Sequence, residues 1–188
     1  MSERLLLHTC CAPCTTFVAK ALREEGFEVQ FFFFNPNIHP FDEYARRLSA
    51  LHALLLQTGE PMIAPFPYNP LSYFTAVSSQ TQRCRACYSH RLEVTACWAK
   101  NQGYKHFSTT LTISPYQEVS AINRIGIEIG RAFQVNYIAR DFRYGFPESK
   151  KMAEDYSLYL QNYCGCLYSD WERVKKAIWK TLSGAGCF

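Results

Sequence analysis

Apolar and polar positions change period repeatedly along this chain, from strand-like to helix-like and back. Residues 4–8 hold three consecutive leucines, Leu5, Leu6 and Leu7, which predicts a short strand buried on both faces. A helix over 15–25 follows and stops at Gly26, since glycine ends helices by entering the left-handed region without steric cost. The run 27–34 finishes on Phe31, Phe32, Phe33 and Phe34, again the continuous apolarity of a strand covered on both sides. Over 42–58 the residues Tyr44, Leu48, Leu51 and Leu55 recur at spacings of four, three and four. That is one stripe of an amphipathic helix, with Glu43, Arg46 and Arg47 off it.

Further along, the pattern predicts a strand over 62–66, a short helix over 71–77, a helix over 84–102 and a strand over 106–111. A helix over 118–133 places Ile122, Ile125, Ile129 and Phe133 on one face. A strand over 135–139, a loop over 141–147 and a helix over 148–161 come next. The last helix, 168–182, has Trp171, Val174 and Ile178 in register. Strands alternating with helices predict the α/β class, with a parallel sheet of about five strands, flanking helices and a helical C-terminal part. No repeat, low-complexity linker or composition shift divides the chain, so 1–188 reads as one domain. Its 188 residues, 48% hydrophobic, suffice for one sizeable core.

Open sheets of this kind bind ligands beyond the carboxyl ends of their strands, where the strand order reverses. The first such turn reads His8-Thr9-Cys10-Cys11-Ala12-Pro13-Cys14. Three thiols in five residues point to metal or redox chemistry. The nine cysteines of the chain fall into three clusters: Cys10, Cys11 and Cys14; Cys84 and Cys87; Cys164 and Cys166. Cys97 and Cys187 stand alone and read as structural. The opening residues lead into only three leucines, too short for a signal-peptide core, and no apolar run approaches the ~20 residues of a membrane span. A cytoplasmic location is expected, where disulfide frameworks are rare and metal binding or catalysis takes precedence.

A free thiol with a pKa of ~8.5 is mostly protonated at neutral pH, whereas a metal deprotonates it outright. One tetrahedral zinc or one cubane cluster needs four ligands. Seven candidates leave a surplus for a second metal or a redox pair. Cys84 and Cys87 open a helix, where the dipole and neighbouring arginines favour thiolate. His8, His39 and His90 lie near cysteine segments but read as structural residues, and His52 as a surface one.

Four polar loops are expected to share the crevice: 35–40, 109–117, 141–146 and 162–166. They mix hydrogen-bonding side chains with aromatics, which suits a stacked, edge-read nucleobase. The net charge of +4 and the 15% aromatic content are compatible with a polyanionic partner. Neither G-x-G-x-x-G nor G-x-x-x-x-G-K-[ST] occurs, so nothing here cradles a triphosphate.

Taken together, H-x-C-C-A-P-C, N-P-N-I-H-P, R-C-x-x-C, T-T-L-x-I-S-P-Y-Q, D-F-R-x-G-F and Y-C-G-C-x-Y-S, in this order from Leu5 to Arg173, resemble the QueH-type epoxyqueuosine reductases. Two loops depart from the family pattern. Ser79-Gln80-Thr81-Gln82 stands where Glu-Gly-Gly is frequent, and Tyr144 where proline is.

The resemblance implies a HUP-like (adenine nucleotide alpha hydrolase-like) domain. It also implies reduction of the epoxide of epoxyqueuosine to queuosine at the wobble position of tRNA with a GUN anticodon. The chemistry would need no cobalamin and would use a 4Fe-4S cluster with an adjacent metal ion, iron before zinc. Cys10, Cys11, Cys14, Cys84, Cys87, Cys164 and Cys166 form the expected metal pool. All of them except Cys14 are also assigned to the cluster, and Cys11 and Asp141 to catalysis, Asp141 for proton delivery or metal ligation. Ferredoxin or flavodoxin is the expected electron donor. Arg46, Arg47, Arg83, Arg85, Arg91, Arg140 and Arg143 are the candidate phosphate contacts. Two rival classes are a zinc-stabilised RNA-binding module and a thiol-based redox or sulfur-transfer enzyme.

Overall fold

The structure, a computed structural model, describes residues 2–184. Cys187 lies outside the described residues. Five strands, β1 (Glu3–His8), β2 (Phe27–Phe32), β3 (Met62–Ile63), β4 (His106–Thr109) and β5 (Asn136–Tyr137), form one sheet in the order β3-β2-β1-β4-β5. Every pairing is parallel. The chain builds outward from β1 in one direction through β2 and β3, then returns to add β4 and β5 on the other side. The order therefore reverses between β1 and β4, and the crevice opens beyond His8 and Thr109.

The three leucines of β1 show how the sheet is held. Leu5 and Leu7 pack with Val18, Leu22, Leu51 and Leu55, from the helices α1 (Ala12–Glu24) and α2 (Phe41–Gln57). Leu6 points the other way, to Leu92 of α4 (Arg83–Asn101) and Ile122 of α5 (Val119–Phe133). All three are 0% exposed. Successive strand residues face opposite sides, so an unbroken apolar run is what a strand with helices on both faces requires. Each such burial stabilises by ~1.5–3 kcal/mol.

The expected helix after β1 starts three residues earlier than its pattern, at Ala12, because Pro13 occupies the first turn, where the missing N–H costs nothing. This puts Cys14 inside α1 and Cys11 at its N-cap. Gly26 does end the helix region, with φ of +93°. The strand expected over 27–34 stops at Phe32, although Phe33 N–H still bonds the Ile63 carbonyl at 2.8 Å. Phe34 instead joins Phe66 and His90 in an aromatic cluster. The strand expected over 106–111 ends at Thr109, whose hydroxyl accepts from Leu111 N–H and starts a single 3-10 turn, Thr110–Ile113.

Three further expectations are corrected. The helix placed at 148–161 is α6 (Phe146–Asp155); Ser157 adopts φ of +53°, and 156–166 is a loop. Glu43 and Arg47, read as lying off the buried stripe of α2, are only 4% and 2% exposed. They pair with each other, so α2 buries charge beside its apolar stripe. The short helix is α3 (Pro70–Val77), and the last helix is α7 (Leu167–Gly184). Its register residues Trp171 and Ile178 are 58% and 44% exposed.

Candidate metal centre

At the end of β1 the backbone is locked on both sides. Thr9 N–H donates to the Phe32 carbonyl at 2.8 Å, and Asn35 Nδ2 donates to the Thr9 carbonyl at 2.8 Å. Cys10 N–H donates to Thr110 Oγ1 at 3.0 Å, and the same hydroxyl donates to Cys10 Sγ at 3.3 Å. Cys11 is extended at the N-cap of α1, and Thr15 Oγ1 bonds its carbonyl at 2.8 Å. The result is a tight cluster: the Sγ atoms of Cys10, Cys11 and Cys14 all lie within 4.8 Å of one another.

Three thiols this close cannot all ionise. Hydrogen bonds from the Cys11 and Cys14 thiols, helped by the charge of Arg91 and by Thr110, hold Cys10 well below the usual thiol range. Cys11 is pushed up to about 12 and Cys14 is also raised, chiefly because each donates to its ionised neighbour. The arrangement favours negative charge on Cys10, donated to by its two neighbours, at the N-terminus of a helix with no acidic residue in its first turn. Gln161 adds a fourth polar contact, donating from Nε2 to Cys11 Sγ at 2.9 Å.

Cys84, Cys87, Cys164 and Cys166 form a neighbouring group. Cys87 is buried with Tyr73 and Val77 of α3, and Cys166 packs against them. Cys164 and Cys166 have Sγ atoms 3.4 Å apart. The hydrogen bond between the two sulfurs holds Cys164 down to about 6, while Cys166 is raised. Burial pushes Cys87 up to about 11, and it also raises the exposed Cys84. The charge of Cys164 adds to both shifts.

The loop bearing Cys164 and Cys166 is clamped by α2. Arg47 Nη1 and Nη2 donate to the Cys164 and Tyr163 carbonyls at 3.1 and 3.0 Å. Arg47 Nε is 2.7 Å from Glu43 Oε1, and Tyr159 OH donates to the other carboxylate oxygen at 2.7 Å. His39 N–H bonds the Gly165 carbonyl at 2.8 Å, and Tyr163 OH donates to the His39 carbonyl. Gly165 has φ of +114°, and an added Cβ would meet Ile38 at 3.0 Å and Arg47 at 3.1 Å. Only glycine fits between the two cysteines.

The expected loops do converge: 35–40 meets 165, Thr110 meets Cys10, Gln161 meets Cys11, and Phe142 N–H bonds the Thr112 carbonyl at 3.2 Å. Asp141 stands apart. Its carboxylate is exposed and gripped by Arg143, at 2.5 Å from Nη2, which lowers its pKa. His8 is fully buried with its Nδ1 2.8 Å from Thr109 Oγ1 and its Nε2 3.2 Å from the Phe34 carbonyl. Burial lowers it to about 3, so it is neutral. His39 stacks on Phe74 at 5.0 Å, His90 bonds Ser72 at 3.0 Å, and His52 is exposed.

Two of the seven arginines assigned to phosphate are corrected. Arg47 and Arg91 are buried against the cysteine loops. Arg46, Arg83, Arg85, Arg140 and Arg143 do reach solvent, each beside a carboxylate. Sequence reasoning missed Gln161 because its segment looked helical. It also missed the role of Arg91, although its spacing from Cys84 and Cys87 was a readable helical signal. The donor set at the end of β1, three thiols whose sulfurs converge, fits a thiolate-bound metal group.

A parallel α/β sheet whose switch point carries a cluster of thiols in place of a phosphate loop defines a class of protein equipped to bind a metal through sulfur. Residues 5–172 match the family model described as epoxyqueuosine reductase QueH. The chain is 39% identical to a protein named epoxyqueuosine reductase QueH from Dehalococcoides mccartyi, over 94% of this chain and 97% of that one. It is 33% identical to one of the same name from Thermotoga maritima, over 92% and 93%. This chain belongs to the epoxyqueuosine reductase QueH family. Among solved structures, a predicted subunit of tRNA methyltransferase from Methanocaldococcus jannaschii has the same fold, with a TM-score of 0.51 over 81% of this chain and 74% of that one at 11% identity.

Proposed function

We propose that this protein is an epoxyqueuosine reductase acting on tRNA in the cytoplasm. The overall reaction consumes two electrons and two protons, converts the epoxide to an alkene and releases the oxygen as water. The observation that carries the reading is the convergence of three thiols within 4.8 Å beyond the central strand of a chain of this family. A 4Fe-4S cluster held by four of Cys10, Cys11, Cys14, Cys84, Cys87, Cys164 and Cys166, with an adjacent metal ion on the remainder, would supply single electrons and a Lewis acid for the epoxide oxygen.

The chain's own residues do the rest. Thr110 and Gln161 hydrogen-bond the sulfurs of Cys10 and Cys11 and so orient them. Such outer contacts fix ligand geometry and tune electron affinity. The Arg47 clamp holds Cys164 and Cys166 in place. Asp141, a carboxylate at the solvent side, would relay a proton from bulk water or hold the second metal once its pair with Arg143 opens. The loops at 35–40, 109–117 and 141–146 receive the modified base, while the exposed arginines approach phosphate. Electrons come from a reduced carrier such as ferredoxin or flavodoxin. Among the described residues no helix is long and apolar enough to cross a membrane.

The deciding assay gives anaerobically reconstituted protein epoxyqueuosine-containing tRNA and dithionite, and follows queuosine by mass spectrometry of the digested nucleosides. Conversion that tracks bound iron supports the proposal. A colourless zinc protein, or an iron-loaded one that leaves the epoxide intact, refutes it.

A further inference from the structure

Cys84, Cys87 and Arg91 lie at positions i, i+3 and i+7 of α4, on one helical face. Arg91 is 4% exposed. Its Nη2 donates to Asn35 Oδ1 at 2.5 Å, and Arg91 lies one helical turn beyond the buried Cys87. Its Nε is buried without a partner. Asn35 is held in turn through its own bond to the Thr9 carbonyl at 2.8 Å. Among the described residues no carboxylate lies within salt-bridge reach of Arg91. The other buried arginine, Arg47, has Glu43 at 2.7 Å.

A permanent cation taken out of water beside a neutral amide is strongly destabilising unless an opposite charge offsets it. Arginine cannot escape by losing its proton. The groups that feel its charge are His8, His90 and the thiols of Cys10, Cys87 and Cys164. They come from three separate parts of the chain. Both ring nitrogens of His8 are bonded elsewhere and an imidazole brings no negative charge, so sulfur is left to carry it.

We propose that Arg91 is the built-in counter-charge of the metal centre, a positioning residue set between the Cys10 wall and the Cys87–Cys164 wall that raises the electron affinity of whatever those thiolates hold. The inference rests on the iron–sulfur reading above. A thiolate-bound cluster becomes one unit more negative on reduction, and a fixed cation in a low-dielectric surrounding favours the more negative state. Asn35 keeps the guanidinium in register without neutralising it.

The test uses the full chain, reconstituted anaerobically with iron and sulfide, as wild type, Arg91→Lys, Arg91→Met and Asn35→Asp. Iron and sulfide content is measured first, then the midpoint potential by optical titration. Arg91→Lys should stay within about threefold of wild type in the one-electron reduction equilibrium, because it keeps the charge. Arg91→Met should be about tenfold harder to reduce, a shift of ~59 mV to lower potential. Asn35→Asp, which sets a carboxylate on the guanidinium without removing it, should move the potential in the same direction. Arg91→Met that loads fully and titrates with wild type overturns the proposal. If Arg91→Met fails to load, Asn35→Asp decides: a lowered potential supports the counter-charge and an unchanged one overturns it.

A wild-type chain that takes up zinc but neither iron nor sulfide refutes the iron–sulfur reading alone. The counter-charge is then read from zinc affinity. Zinc binding about tenfold weaker in Arg91→Met than in Arg91→Lys supports it, and equal affinity overturns it. A wild type that binds no metal refutes both.

Discussion

Replacing Arg47 by Met should be among the most damaging single changes outside the hydrophobic core. The guanidinium makes three bonds at once: to Glu43 at 2.7 Å, to the Cys164 carbonyl at 3.1 Å and to the Tyr163 carbonyl at 3.0 Å. Its side chain is 3% exposed and that of Glu43 is 5% exposed. Methionine fills most of the volume but leaves the buried carboxylate with only Tyr159 OH at 2.7 Å and the solvent-exposed Arg46 guanidinium at 3.6 Å. Removing one partner of a buried pair costs ~3–5 kcal/mol, most of it from the stranded charge. At ~2–4 °C per kcal/mol for a chain of this size, the melting temperature should fall by roughly 6–20 °C.

The predicted assay is urea unfolding of the reduced, metal-free chain, followed by alkylation of Cys164 in the native state. Arg47→Met should destabilise by the stated amount and make Cys164 react faster, because its loop loses two anchoring bonds. The double variant Glu43→Leu with Arg47→Met should recover much of the stability while Cys164 stays fast, since the stranded charge is gone but the clamp is not restored. A single variant costing under about 1 kcal/mol, or a double variant no better than the single, would refute the reasoning.

Three further outcomes are predicted. In the metal-free protein Cys164 sits at about 6 against a reference of 9.0; its thiolate therefore stabilises the fold fully above the unfolded value, and that contribution is lost as pH falls through 6. Stability measured by urea should rise between pH 6 and 9, and a flat profile would contradict the assignment. Gly165→Ala forces a side chain onto φ of +114° with contacts of 3.0 and 3.1 Å, at a cost of ~1–3 kcal/mol; it should show as weaker metal retention during gel filtration, and full retention would count against it. Chelating the metal should speed hydrogen exchange around Cys84 and Cys164 more than in β1 and β4, because metal affinity is part of the folding energy of the loops that hold it; equal protection before and after would refute that link.

The layered frame and the identity of the sulfurs were legible from residue order alone. Leu5–Leu7 and Phe31–Phe32 announce strands covered on both faces because burial shows up directly as continuous apolarity, although the apolar run outlasts the strand at Phe33 and Phe34. The cysteine clusters announce themselves because few other pressures place so many thiols in short motifs.

What tertiary structure alone decided was which polar groups meet. Thr110 and Cys10 are 100 residues apart, Arg47 and Cys164 are 117 apart, and Gln161 and Cys11 are 150 apart. No local pattern encodes such pairings. Arg47 and Arg91 look like any surface arginine in the one-dimensional record, because a charged side chain is exposed unless a partner from elsewhere pays for its burial. Glu43 is that partner for Arg47. For Arg91 the partner is sulfur gathered from three parts of the chain, and only the parallel sheet, by reversing its order between β1 and β4, brings those parts to one crevice.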